Sequence, residues 1–496
     1  MICREGSLPD ALKMCSSRLP NAHIQDGEPV PLVVDIDALL DLNAIVVSAF
    51  AFVRAKPTVL LQLPLWLAHG RFGVRENLAR QAPPEILARC YPPDVLAYLR
   101  TQKTVGRALG LVGGNDESAA QCVARGLGLF DVVWADAGFR DLTSGQRREV
   151  LRQQFGVGDF DYLAGRGDGR LRRDARGLLL AAPSKHLMRE VAGAGTLKEV
   201  FSRSLGGPMD YFRALRPHHW IKNLLLFAAI GAAHRLPDSK NLGDLSLAFV
   251  AFSACASSGY LLNDLFDLNS DAIHPQTRHR QLASRLIQPS RALLMLTLLL
   301  VGAVVISWRL SGAFLCMLVT YFLLMTLYSM RLKEVAVLDL LILAGGYALR
   351  VGAGSYVVDL RPSAWLMALT MFLFLSLASI KRYAELLAAG AASGPSAKVR
   401  GYVASDDVIV AAAGIASGYV AVLVLALYTN ASVAEHVYGR HELFWVICLL
   451  LLYWINYLWL MARRGRIAHD PLVFALADRT SLLLVAAMGV ATLWAL

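Results

Sequence analysis

Apolar and polar positions divide the chain into two parts of different texture. From residue 1 to about 205, charged and apolar stretches alternate as in a water-soluble domain; from about 222 to 496, long apolar runs follow one another. A run of about 20 apolar residues spans a bilayer as an α-helix. Nine such runs predict nine transmembrane helices, at about 223–234, 244–262, 291–308, 312–328, 336–354, 363–379, 407–428, 442–461 and 480–496. The first is short. The fifth carries Asp339 and Arg350, ionisable residues that are costly inside a membrane and either face a functional cavity or pair with each other or a neighbour. In the N-terminal part, the apolar stretch 45–67 is broken by Arg54, Lys56 and Pro57 into pieces too short to cross. Those pieces suit either helices lying on the membrane surface or the core of a small helical insertion.

Charge gives the orientation. The loops after the second, fourth, sixth and eighth runs hold fourteen Lys and Arg residues, counting Arg291 at the very start of the third run, and the loops after the other runs hold five. The excess of basic residues marks the cytoplasmic side, which predicts a multi-pass protein of the cytoplasmic membrane with its N-terminal domain in the cytoplasm. Those loops account for much of the formal net charge of +11, so the charge calls for anionic lipid and phosphorylated substrates rather than nucleic acid. The 56% hydrophobic content and mean hydropathy of +0.47 agree with a membrane protein. The seven cysteines, at positions 3, 15, 90, 122, 255, 316 and 448, lack metal-ligand or redox spacing and are expected to be free thiols. The start, MICREGSLPDALKMCSS, holds no apolar signal core, so no cleaved signal peptide is expected.

The chemistry concentrates where the second run ends, in YLLNDLFDLNSDAIHPQTRHR, residues 260–280. Asn263, Asp267 and Asp271 are spaced i, i+4, i+8, and Asp264 joins them one turn before Asp267, so a helix puts all four on one face. Three carboxylates on one face repel, and a divalent cation among them relieves the repulsion. Mg²⁺ takes carboxylate oxygens and commonly bridges to substrate phosphates. A solvated acidic loop would have the same composition, but the spacing, the preceding Asn and the membrane edge favour a metal site. Pro275 ends the helix and leaves Arg278 and Arg280 on a loop, as phosphate-gripping or simply positive-inside arginines.

A second cluster, Lys381, Arg382 and Glu385 in ASIKRYAEL, follows the sixth run and reads either as further substrate charge or as a cytoplasmic cap. Lys222, in LRPHHWIKN before the first run, could reach a phosphate at headgroup level or snorkel, and Lys333 stands in the loop after the fourth run. Residues 185–210 read as a linker. The Ala-, Gly- and Ser-rich loop at 390–407 reads as a mobile lid or a plain connector.

NDLFDLNSD fits the N-D-x-x-D-x-x-x-D motif of the UbiA superfamily of membrane prenyltransferases, and the chain resembles that superfamily over about 210–496. LRPHHWIKN, the 260–280 stretch, KRYAEL and DPLVFALADR resemble its decaprenyl-phosphate phosphoribosyltransferase branch. The resemblance implies an all-α bundle with a lipid-open cavity, occupying 206–496. It implies phosphoribosyl diphosphate as donor, a polyprenyl phosphate as acceptor and Mg²⁺ as cofactor. Asp264, Asp267 and Asp271 would hold the metal; Arg278, Lys381 and Arg382 would act in catalysis; Lys222, Asn263, Arg280, Lys333, Asp339, Arg350 and Glu385 would bind substrate. The sister branch, which moves a prenyl chain from its diphosphate to an aromatic acceptor, would use the same motif. A transporter is disfavoured because its charges would sit nearer the bilayer midplane.

The N-terminal stretch PLVVDIDALLD ends an apolar strand in Asp35 and Asp37 and resembles the first motif of the haloacid dehalogenase (HAD) superfamily. This implies a soluble α/β, Rossmann-like domain over 1–205 with a helical cap at about 44–100 and a strand–helix–strand at 107–136. Asp35 would be the nucleophile and Asp37 the general acid/base. The match is degenerate. Ala38 and Leu39 replace Gly and Thr, and Gly113, Gly114 and Asn115 stand where a hydroxyl is expected. Arg147 is the nearest candidate for the third motif's lysine, and Gly165 and Gly169 fill the acidic places of the fourth, with Asp168 one residue off. A pseudo-enzyme is therefore favoured over a working phosphatase.

Overall fold

A computed structural model describes residues 30–40, 42–68, 74, 77–78, 91–113, 117–134, 142–155, 158–165, 169–191, 196–201, 206–232, 239–273, 277–429, 440–467 and 470–495. The chain forms two compact units, the first comprising Met1–Asp210 with Asp264–Ala292 and the second Tyr211–Asn263 with Leu293–Leu496.

The first unit is built on six strands: β1 (Leu32–Asp35), β2 (Leu109–Val112), β3 (Val132–Trp134), β4 (Asp161–Ala164), β5 (Gly177–Ala181) and β6 (Leu197–Phe201). They pair in parallel in the order β3-β2-β1-β4-β5-β6. Short apolar strands such as LVVD and LGLV are buried along their whole length, as a parallel sheet covered on both faces requires. Alternation along β1 divides the core. Leu32 and Val34 pack with α2 (Pro93–Thr104) and α3 (Glu117–Leu127), which follow the N-terminal helix α1 (Leu42–Ala55) in the chain. Val33 packs on the opposite face with α4 (Ser144–Phe155). The expected strand–helix–strand at 107–136 is β2–α3–β3. Of the helical insertion expected at 44–100, the described residues hold α1, a 3₁₀ turn at Pro57–Leu61, Leu63–Ala68 and the start of α2. The strand order reverses between β1 and β4, the place where open α/β sheets bind ligands, and Asp35 stands there at the carboxyl end of β1.

The rest of the chain is helical: α5 (Ser239–Ile273), α6 (Pro289–Leu310), α7 (Gly312–Met330), α8 (Leu338–Val357), α9 (Ala364–Ser393), α10 (Asp407–Thr429), α11 (Phe444–Arg463), α12 (Pro471–Ala477) and α13 (Arg479–Ala495); the last turns of α5 and the start of α6 belong to the first unit and the remainder to the second. Among the described residues, seven of these are long and apolar enough to cross a membrane, and α12 with α13, bent by 85°, makes an eighth if the pair is one span. The protein is thus a multi-pass membrane protein. The first expected span, at 223–234, is instead a 3₁₀ helix (Pro217–Phe227) followed by Ala228–Ala232. Its twelve residues would reach only about 18 Å as an α-helix, short of the ~30 Å hydrocarbon core. This segment packs so closely on α8 that a Cβ on Gly354 would overlap the Leu226 backbone.

Helix α5 has 35 residues, about 52 Å, so it outruns the bilayer and carries the acidic stretch as its own last turns. The loop between α9 and α10 contains a short antiparallel hairpin, β7 (Lys398–Val399) and β8 (Tyr402–Val403). Tyr402 pins it: its hydroxyl donates to Asp339 Oδ1 at 2.7 Å and accepts from the Val337 N–H at 2.7 Å.

Candidate functional site

The helical spacing does bring the acidic residues to the end of α5, where Asp264 and Asp271 are buried and Asn263 and Asp267 half-buried. Arg280 Nη1 lies between two of the carboxylates, 2.7 Å from Asp271 Oδ2 and 3.4 Å from Asp264 Oδ1. The turn that delivers Arg280 is tied back by Thr277, whose hydroxyl donates to the Asp271 carbonyl at 3.2 Å. Arg278, the candidate catalytic neighbour, is exposed and donates to His279 at 3.3 Å instead. Pro275 lies outside the described residues, and the helix ends at Ile273. Asp267 pairs with a residue the sequence did not nominate, Arg54 of α1, at 2.5 Å.

Among the described residues, no three His, Cys, Asp or Glu side chains are gathered tightly enough to hold a metal ion. The donor set nevertheless suits Mg²⁺, because all of its ligands are hard oxygens. Two of the carboxylates already converge on one positive nitrogen, so their oxygens can share a cation.

The basic residues of the second unit form their own network. Lys222 donates to Asp470, whose carboxylate also caps α12 by accepting from the Leu472 N–H at 3.0 Å. Burial works to raise the Asp470 pKa, but the Lys222 ammonium outweighs it and holds the carboxyl below the ordinary carboxylate range. His219, one turn before Lys222, has its imidazole pushed down to about 3 by burial and by that same ammonium, so it is neutral. Lys381, half-buried on α9, is within electrostatic reach of Glu385, Asp470 and Lys222 and makes no hydrogen bond or ion pair among the described residues. Lys333 lies half-buried on the 3₁₀ turn Leu332–Glu334.

The remaining candidates are braced. Asp339 does not pair with Arg350. Its Oδ2 takes Arg382 Nε at 3.0 Å and Nη2 at 2.5 Å, and Arg382 Nη1 donates to Glu385. Arg350 donates to Asn223 at 2.8 Å, the Gly346 carbonyl at 2.7 Å and the Tyr321 hydroxyl at 2.9 Å, and lies 4.6 Å from the Tyr321 ring centroid. These arginines therefore hold helices together, and Lys381 is the cation of the cluster with donors to spare.

In the first unit, the Asp35 carboxylate is fully buried. It accepts from Tyr162 Oη at 2.6 Å and from the Asp37 N–H at 3.0 Å, capping the single turn Ile36–Leu39. Gly165, at a place expected to be acidic, sits against the Asp37 and Ala38 backbone, where any Cβ would collide. Arg147 donates to Asp174 and, at 2.6 Å, to the Leu142 carbonyl. Gly114, Asn115 and Asp168 lie outside the described residues.

Two features escaped the sequence. Arg54 entered only as a break in an apolar run, and Asp470 only as part of a quoted segment. The available signals were a lone cation in an apolar helix and an Asp before Pro471, a helix-capping pattern.

A polytopic helical bundle with phosphate-suited cations and a metal-suited acidic helix end defines a membrane transferase. The sequence pattern of the UbiA prenyltransferase family matches residues 224–485, more than half of the chain, and the chain belongs to that family. It is 28% identical over 456 residues to the uncharacterized protein y4nM of Sinorhizobium fredii, covering 91% of this chain and 88% of that one. It is 35% identical over 280 residues to nodulation protein NoeC of Azorhizobium caulinodans, covering 56% of this chain and 90% of that one. It is also 36% identical over 178 residues to decaprenyl-phosphate phosphoribosyltransferase of Mycolicibacterium smegmatis, covering 35% of this chain and 56% of that one.

Proposed function

We propose that the protein transfers a 5-phosphoribosyl group from phosphoribosyl diphosphate to a polyprenyl phosphate at the cytoplasmic face of the inner membrane. The observation that carries this is the 36% identity to a decaprenyl-phosphate phosphoribosyltransferase, joined to the acidic end of α5. A phosphate oxygen of the lipid attacks the anomeric carbon of ribose, the bond from that carbon to diphosphate breaks, and diphosphate leaves. Asp264, Asp267 and Asp271 would hold Mg²⁺, which when bound supplies charge neutralisation for the departing diphosphate. Arg280 and Arg278 add fixed positive charge beside them. Lys381 and Lys222 take phosphate oxygens, and Asp470 orients Lys222. Arg382, through Asp339 and Glu385, fixes the helix face that presents Lys381.

The test is direct. Purified protein with Mg²⁺, a polyprenyl phosphate and radiolabelled phosphoribosyl diphosphate is expected to give labelled lipid. Transfer from a prenyl diphosphate to an aromatic acid, with no labelled lipid, would establish the sister chemistry instead.

The first unit is read as a HAD-like domain without phosphatase activity, placed in the cytoplasm. Its would-be nucleophile is buried and engaged in capping a turn, and any side chain at Gly165 would collide with the Asp37 and Ala38 backbone. Asp35→Asn is expected to leave phosphoribosyl transfer within about twofold of wild type, since the side chain caps one turn. Phosphate release from the lipid product that vanishes in this variant would overturn the pseudo-enzyme reading.

A further inference from the structure

We propose that helix α1 gates metal entry to the acidic end of α5 within the first unit, with Arg54 occupying Asp267 until a divalent cation displaces it. The inference rests on the reading of that helix end as a metal site.

Three side chains of α1 carry the argument. Asn43, Phe50 and Arg54 are spaced i, i+7, i+11, one face of a helix. Each touches the segment Asp264–Ala292, and each contact has a different chemistry. Asn43 Oδ1 accepts from both the N–H and the hydroxyl of Ser290, at 3.2 and 2.7 Å. The Phe50 ring stands edge-on to Phe266 at 5.2 Å between centroids and 74° between planes. Arg54 Nη1 reaches Asp267 Oδ1 at 2.5 Å and the Phe266 carbonyl at 3.3 Å. One helix face thus grips the start of α6 and the last turns of α5 together, and its charged end rests on Asp267 of the acidic stretch.

A guanidinium and a divalent cation cannot share one carboxylate without repelling each other. The two arginines at the motif are not equivalent in this respect. Arg280 comes from the loop just past the motif and spans two carboxylates. Arg54 comes from α1, more than two hundred residues earlier in the chain. Whatever shifts α1 therefore changes the cation affinity of α5. This gives the α/β unit a role although its own nucleophile is locked.

Full-length protein in detergent would be titrated with Mn²⁺, reading free Mn²⁺ by its electron paramagnetic resonance signal. Arg54→Gln is expected to bind Mn²⁺ about fivefold more tightly than wild type, the equivalent of the ~1 kcal/mol of a partly exposed ion pair. Asn43→Ala, which loosens α1 without touching a carboxylate, is expected to tighten binding to a smaller degree and guards against misfolding of the first variant. Asp267→Asn is expected to weaken binding at least tenfold. Wild-type affinity or weaker in both Arg54→Gln and Asn43→Ala would overturn the gate while leaving the metal reading intact. No Mn²⁺ binding by any of the four proteins would remove the metal reading and the gate with it.

Discussion

Asp264→Asn combined with Asp267→Asn is expected to lower transfer at least about a thousandfold. Each exchange keeps the side-chain volume and one acceptor oxygen but removes a negative charge. Loss of a single preorganised electrostatic contact commonly costs about a hundred- to a thousandfold in turnover, and a metal ligand set depends on its charges together. The fold should tolerate the change, because Arg280 keeps its 2.7 Å partner Asp271 and Phe50 keeps its contact with Phe266. The readout is labelled lipid per minute, alongside a thermal unfolding midpoint within a few degrees of wild type. Turnover within tenfold of wild type would remove the acidic helix end from the reaction.

What could be read from the chain in advance was whatever is local. The face shared by Asn263, Asp264, Asp267 and Asp271 follows from helical period alone, and α5 carries them as one uninterrupted helix. Most of the membrane spans follow from apolar length, and β1, β2 and β3 were visible as short apolar runs around a helical stretch. Where length was insufficient the reading failed: the 223–234 run is too short to span, and it folds as 3₁₀ and α turns under α8.

Pairings across the fold were out of reach. Asp339 and Arg350 fall on one face of α8, which invites a pair, yet eleven residues of helix separate them by about 16 Å. The carboxylate instead finds Arg382 on α9, 43 residues later, and Tyr402 on the hairpin beyond it. Arg54 is further still from Asp267, and no periodicity links positions in different elements. The degenerate resemblance of the N-terminal part to HAD motifs is a middle case. The absence of an acidic residue was legible as Gly165, but the backbone of Asp37 and Ala38 that crowds it lies far off in the sequence.

Arg382→Met is expected to destabilise the second unit by roughly 3–5 kcal/mol, the usual cost of stranding one member of a buried ion pair. The pair qualifies as buried: Arg382 is 2% exposed and Asp339 is fully enclosed. With Arg382 gone, Asp339 Oδ2 loses both guanidinium bonds and keeps no other donor among the described residues, while Oδ1 retains Tyr402. The carboxyl then stays charged at high desolvation cost or takes up a proton, and the hairpin that Tyr402 anchors is weakened either way. Removing both charges should be far milder, because an apolar pair of similar volume often matches a buried ion pair in stability. Arg382→Met with Asp339→Leu is therefore expected to recover more than half of the loss. Pulse proteolysis in detergent measures the cycle, since a chain of two units need not unfold in one step. Additive losses in the double variant would show that the two side chains act separately and that Arg382 is not a brace.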